Sequence, residues 1–414
     1  MDHVAKEQDR GGTMRGSELR VAGSLAAVFA MRLLGLFMIY PVFAGYARHL
    51  RGATPITIGL ALGVYGLAQG LLQIPFGMLS DRIGRKTMIS IGLVFFGIGS
   101  IVAALSTSID GVLFGRFLQG TGAVGSVILA LVADLTHEEA RTKAMAIVGI
   151  TIGFSFVVAI AIGPLLATFI GVPGIFWLTA VLALIGIAIT QGLVPTPPRI
   201  ARQRAAEAAM TVFARVVRDR ELLRLDLAIF ALHAILTASF LAVPALIAGT
   251  LRVSASQEWM VYLPVLMASI VLMIPTIIFA EKGGRIKEVF ISAIALLAAS
   301  LIALAMDGSA ASVAAAALVG FFTAFNVMEA ILPSLVTKIA PLDARGAATG
   351  IYSSSQFLGI FFGGAIGGAA LAFGGARGVL YFAIILALLW LAAAATMRRP
   401  EQRSTCVKRQ TARH

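Results

Sequence analysis

The sequence predicts an all-α membrane protein of twelve transmembrane helices, arranged as two parallel six-helix halves around a central cavity. Three observations lead there. Of 414 residues, 59% are hydrophobic and 13% charged, against about 45–50% apolar and about 25% charged in soluble chains. At about 20 residues per crossing, that apolar share suffices for roughly twelve spans and leaves no room for a large soluble domain. Finally, the two halves repeat each other in the same orientation.

Apolar runs fall at 21–47, 55–79, 87–108, 111–133, 143–170 and 174–194, then at 222–250, 257–280, 289–306, 309–337, 346–373 and 376–397. The longest interruption, 195–221, opens with Pro195, Pro197 and Pro198 and continues as a basic, helix-compatible stretch. It separates an N-terminal bundle (21–194) from a C-terminal one (222–397), with tails at 1–20 and 398–414. The repeat is seen where Asp81, Arg82, Gly84 and Arg85 after span 2 align with Glu281, Lys282, Gly284 and Arg285 after span 8. Parallel repeats of this kind are an architecture of secondary transporters, which bind their substrates between the halves near the bilayer midplane.

The net charge of +13 does not describe a nucleic-acid binder, because the basic residues lie in short gaps between apolar runs and not on a polar domain. Arg48, Arg51, Arg252 and Arg377 occupy one set of gaps and Arg32 and Arg116 lie within spans, while the other Lys and Arg residues fall in the tails, the linker and the opposite gaps. The positive-inside rule therefore puts both termini in the cytoplasm of a plasma membrane, expected to be a bacterial inner membrane. The first 19 residues lack the apolar core of a signal peptide. A single cysteine, Cys406, excludes a disulfide frame or a cysteine metal cluster. Gly120, Gly122 and Gly125 have dinucleotide-binding spacing but lie inside an apolar span, where they read as helix packing. No Walker A loop, zinc-protease signature or nucleophile elbow occurs, so no enzyme activity, metal or cofactor is expected.

Charged groups inside spans carry the chemistry, since each costs at least about 2.5–3.5 kcal/mol at a helix centre. Glu329 is the one acid deep in a span, and a proton-coupled carrier needs a carboxylate that loses and regains its proton. Alternating contact with an arginine would make that protonation depend on conformation, and Arg32, in the middle of span 1, is a further candidate for proton coupling. His233 in span 7 either titrates or packs. Arg116 lies close enough to a span end to snorkel, and Asp226 and Asp307, at span edges, are expected to reach water. Tyr40, Gln119, Phe325, Asn326, Tyr352 and Gln356 flank these positions and are the candidate cavity residues. Gly59, Gly63, Gly66 and Gly70 share a face of span 2 and Gly350, Gly359, Gly363 and Gly367 thin span 11, as closely approaching membrane helices require.

The loop Gly77, Asp81, Arg82, Gly84, Arg85 and Lys86 closely resembles motif A of the major facilitator superfamily. With the stretch around Asp134 and those around Glu329 and Gln356, the chain resembles the YajR-type drug/proton antiporter branch, without that branch's additional C-terminal soluble domain. The resemblance implies a cytoplasmic latch, with Asp81 against the start of span 11 near Gly346 and Arg85 paired with Asp134, holding the halves together while the cavity opens outward. Gly115, Arg116, Gln119 and Gly120 resemble motif B. Gly163 and Pro164 resemble motif C, partially, since Ala159 and Ala167 replace glycines. Motif C implies proton-driven export and close contact between the halves. The function expected is export of a small hydrophobic or cationic compound in exchange for protons, by a monomer in the lipid bilayer. The alternatives are a proton-coupled metabolite importer or facilitator and a non-transporting receptor of the same fold.

Overall fold

A computed structural model describes residues 16–196, 205–254, 257–306, 310–341 and 344–396. Asp307, Cys406 and most of both tails lie outside them. Among the described residues, ten helices are long and apolar enough to cross a membrane. Two of these, Glu138–Gly192 and Arg345–Ala395, each contain one non-helical glycine, Gly171 (φ 65°) and Gly375 (φ 60°). A left-handed φ at glycine carries no Cβ penalty, so each long helix folds back there as a hairpin of two crossings, 5 and 6 in the first and 11 and 12 in the second. Twelve crossings result.

Crossing 1 (Gly16–Ala47) is interrupted at Met38–Ile39, because Pro41 has no N–H to donate to the carbonyl of Phe37. Crossings 2 (Pro55–Ile83) and 3 (Arg85–Leu105) are continuous and meet at Gly84 (φ 101°). Crossing 2 starts in a capping box between Thr54 and Thr57. Crossing 4 is broken: Ile109–Thr121 stops, residues 122–124 unwind, and a second helix runs Gly125–Leu135. The predicted reading of its glycines is thus half right. Gly120 packs on the Tyr65 backbone and Gly122 on that of Gly92, but the helix does not run through them. After crossings 5 and 6 and a helix at Ala205–Arg218, crossings 7 (Arg220–Thr250), 8 (Trp259–Lys282), 9 (Ile286–Ala305) and 10 (Ala311–Ile339) precede the hairpin of 11 and 12.

The packing repeats. Crossing 1 lies on 5, 2 on 4 and 3 on 6, and likewise 7 on 11, 8 on 10 and 9 on 12. Glycines set the closest approaches: Gly163 faces the Met38 carbonyl, and Gly359 and Gly363 face the backbone of Phe230 and Ala234. Between the halves, crossing 2 meets 11, and the hairpin of 5 and 6 meets crossing 8. In the 2/11 seam, Gly59 and Gly63 lie against the backbone of Gly364, Gly368 and Phe361, and Gly66 against Phe357.

This seam is not uniform. A Cβ on Gly70 would still stand 3.1 Å from Leu358 and from the Ser354 carbonyl, but one on Gly350 would meet only Ile74 at 3.9 Å, and one on Gly346 would meet nothing within 4 Å. The halves are therefore sealed at the end far from the termini and looser at the terminal end. An edge-on Tyr40–Phe240 pair, with ring centroids 5.4 Å apart, adds to the seal across crossings 1 and 7.

Candidate functional site

Three polar side chains from three crossings of the C-terminal half converge beside the seam. Gln356 of crossing 11 donates through Nε2 to Glu329 Oε1 of crossing 10 at 3.2 Å and lies 2.9 Å from His233 Nε2 of crossing 7. His233 Nδ1 is 3.3 Å from the Ile229 carbonyl, so a proton on Nδ1 satisfies both contacts and leaves Nε2 as the acceptor. Glu329 Oε2 is 3.9 Å from His233 Nε2 and has no hydrogen bond. The buried Tyr352 hydroxyl is likewise unpartnered. One amide thus reads two titratable groups and sits on the helix that forms the seam.

Aromatic rings carry this centre across to the N-terminal half. Phe325 contacts His233 (5.7 Å between centroids) and Phe156 (5.1 Å), and Phe156 contacts Phe37 (5.0 Å). Asn326 donates to Ser269 at 2.9 Å and holds crossing 10 to crossing 8. Tyr40, Phe325 and Tyr352 are buried and Asn326 and Gln356 half-buried. Gln119 stands apart: both ends of its amide are used inside the N-terminal half, by Arg116 and Ser100.

Two sequence expectations need correction, those on Arg116 and Asp226. Arg32 bonds within its own half, where its guanidinium donates to Tyr65 Oη and Gln69 Oε1. Arg116 does not snorkel: fully buried, it donates to the carbonyls of Ala61 and Leu62 and to Gln119, and stacks over Tyr65 at 5.1 Å. Asp226 does not reach bulk water but is buried at 6% exposure. At Gly163 the nearest atoms to an added Cβ belong to Met38 of crossing 1, in its own half, while Phe156 of the same crossing as Gly163 reaches Phe325 across the halves at 5.1 Å.

Motif A residues form a compact cluster at the terminal end. Arg85 pairs with Asp81 at 2.6 Å and with Asp134 at 3.1 Å, and it also bonds Ser80. Lys86 donates to the carbonyl of Val194 at 2.7 Å, while Arg82 is exposed. Gly77 lies beside Ser126, and Gly84 supplies the turn. The Arg85–Asp134 pair joins crossings 3 and 4, both in the N-terminal half, so by itself it braces one half and does not bridge two.

Sequence reasoning missed Glu258, which precedes crossing 8 and is buried at 6% exposure. Nothing in its neighbourhood of the sequence marks it. Burial pushes its carboxyl up to about 7 from an ordinary 4.5. A carboxyl raised in the folded state favours folding when protonated. Its contribution is therefore complete below pH 4.5 and lost as pH rises through about 7. Glu258→Gln should flatten the fall in melting temperature between pH 5 and pH 8; an equal fall in both proteins would contradict this.

Two repeats of six crossings, a glycine seam between them and a membrane-embedded polar centre beside it are the architecture of a secondary transporter. The sequence matches the Major Facilitator Superfamily over residues 25–240 and again over 225–413, and the chain belongs to that family. It is 40% identical over 387 residues to the inner membrane transport protein YajR of Escherichia coli (strain K12), covering 94% of this chain and 85% of that protein. In fold it is similar to the human organic anion transporter MFSD10 (TM-score 0.67, 18% identity, 92% of this chain and 100% of that one). It is also similar to a mutant form of the nucleoside transporter NupG (TM-score 0.72, 13% identity, 92% and 99%).

Proposed function

We propose that this chain is a proton-coupled carrier of a small organic metabolite in a bacterial inner membrane, acting as a monomer with both termini cytoplasmic. The observation that carries the proposal is the Glu329, Gln356 and His233 convergence on crossings 10, 11 and 7. With Glu329 ionised, the Gln356 amide is held between carboxylate and imidazole. Protonation of Glu329 weakens that hold, because a hydrogen bond to a charged acceptor is roughly twice as strong as one to a neutral acceptor. Crossing 11 carries both Gln356 and the seam glycines, so a change at Gln356 is felt where the halves slide. Each proton moved inward is worth about 2.3 kcal/mol per 100 mV, enough to bias such an equilibrium by tens of fold.

Export of a hydrophobic or cationic compound is the second reading, favoured by Gly163 and Pro164 in crossing 5. It is weakened by the placement of Gly163, whose close contact lies within one half. Proteoliposomes separate the two. With an inward proton gradient imposed, a labelled panel of organic acids, nucleosides and lipophilic cations is followed in both directions. At least one class should accumulate or be expelled several-fold beyond the gradient-free level, and the sign of that flux gives the direction. Failure of the gradient to move any of them would overturn the proposal.

A further inference from the structure

The break in crossing 4 and the side chain of Arg32 meet at one point. Two arginines are buried in the N-terminal half, and they are satisfied very differently. Arg116 has an acceptor on each of its three guanidinium nitrogens: Ala61 O at 3.4 Å, Gln119 Oε1 at 2.9 Å and Leu62 O at 3.4 Å. That is a structural arginine. Arg32, 1% exposed, donates only through Nη2, to Tyr65 Oη and Gln69 Oε1. Its Nε is buried without a partner, the two bonds through Nη2 leave Nη1 unused, and no carboxylate among the described residues pairs with it. A buried cation left in this condition is unfavourable until an anion reaches it.

Nη1 points at the start of the second half of crossing 4. It would stand 3.7 Å from a Cβ on Gly125, the first residue of the eleven-residue helix Gly125–Leu135. Val124 supplies no side-chain cap, and no described backbone carbonyl accepts from the N–H groups of Gly125, Ser126 or Val127. Gln73 Nε2 would lie 3.4 Å from the same Cβ. Its amide is oriented by a chain of bonds: Arg32 donates to Gln69 Oε1 and Gln69 Nε2 donates to Gln73 Oε1 at 2.8 Å. That chain occupies the Gln73 oxygen and leaves its Nε2 free to donate. A guanidinium nitrogen, an amide nitrogen and the positive end of a half-helix therefore converge on one point, with no acceptor for them among the described residues. Half-helix N-termini in broken crossings are where membrane carriers hold anionic groups.

We infer that the space bounded by Arg32, Gln73 and the N-terminus of Gly125–Leu135 is an anion subsite that takes the carboxylate of an organic acid with an apolar or aromatic body. One free guanidinium suits a single negative charge. The Phe29 ring, 3.7 Å from the Gly125 Cβ position, and Tyr65 supply the apolar wall. This deepens the transport reading by naming a substrate class and uses that reading only for the anion's purpose, since binding itself needs no gradient.

The test is equilibrium binding to the purified full-length chain by isothermal titration, with benzoate and 1-naphthoate compared against their amides and against benzylamine and 1-naphthylmethylamine. The acids should bind at least about tenfold more tightly than the amides, as loss of a charged hydrogen-bond partner implies, and the amines should not bind. Arg32→Met should bring the acid-to-amide ratio close to one. Gly125→Ala is the second variant. Its methyl meets nothing closer than 3.4 Å, so the helix should keep its stability while the filled space weakens acid binding at least about tenfold. Equal binding of acid and amide by the native protein, no binding of either acid, or an acid preference that survives Gly125→Ala would overturn the inference. Acid binding without any gradient-driven flux would leave the subsite standing and remove the transport reading instead.

Discussion

Replacing Glu329 with glutamine is expected to abolish gradient-driven transport, to at least about tenfold below the native rate, while substrate exchange at equal pH on both sides persists. Glutamine keeps an oxygen for the Gln356 amide, which now donates to Glu329 Oε1 at 3.2 Å, and brings an N–H that can reach toward His233, 3.9 Å from the present Oε2. The volume hardly changes and no buried partner is stranded, so the fold should survive. What is lost is the ability to exist in two charge states, and a carrier that cannot take up a proton cannot be driven by one. The measurement is accumulation in proteoliposomes under an imposed pH gradient, set against counterflow without one. Native gradient-driven accumulation in Glu329→Gln would remove this carboxylate from the coupling step.

A methyl group at Gly364 is expected to have an equally large effect by a different route. An added Cβ would lie 2.8 Å from Gly63 Cα and 2.9 Å from Gly63 N, and it would press on the Gly59 carbonyl. These are backbone atoms, which cannot rotate away as a side-chain tip can. Relief requires crossings 2 and 11 to separate where they now seal the far end. Overpacking of this kind costs about 1–3 kcal/mol, which is a bias of roughly 5–150-fold between two states. Spin labels at Ile56 and Phe373 in a Cys406→Ser background would report the far-end separation, and Gly364→Ala should move the population to longer distances. Gly350→Ala is the control, because its methyl meets only Ile74 at 3.9 Å. An unchanged distance distribution in Gly364→Ala would mean that the seam does not set the state.

The sequence made some of this legible and hid the rest for physical reasons. Crossings are legible because burial in lipid demands long apolar runs whatever the tertiary contacts, and the seam is legible because only small residues permit backbone contact. Depth along a helix can be counted, but the direction a side chain faces cannot. Arg116 sits near a crossing end, a position that favours reaching outward, yet the carbonyls of Ala61 and Leu62 hold it inside. Asp226 fails in the same way. The meeting of His233, Glu329 and Gln356 depends on the rotation of three separate helices about their own axes, which no local pattern fixes. The unwinding at 122–124 is masked by its own residues, since a glycine run that permits close packing also permits a break. Glu258 lies at the edge of an apolar run, where charged residues are ordinary.

The hairpin turns at Gly171 and Gly375 each place a single residue outside helical geometry, and a joint one residue wide has no slack. Crossings 11 and 12 must then travel together as one lever, as must 5 and 6. A displacement begun at the seam is then passed on to crossing 9 through the buried contact of Trp390 with Phe290. Bilayer stiffness and thickness would thereby weigh on the rate of rocking, through a strut too short to absorb the strain.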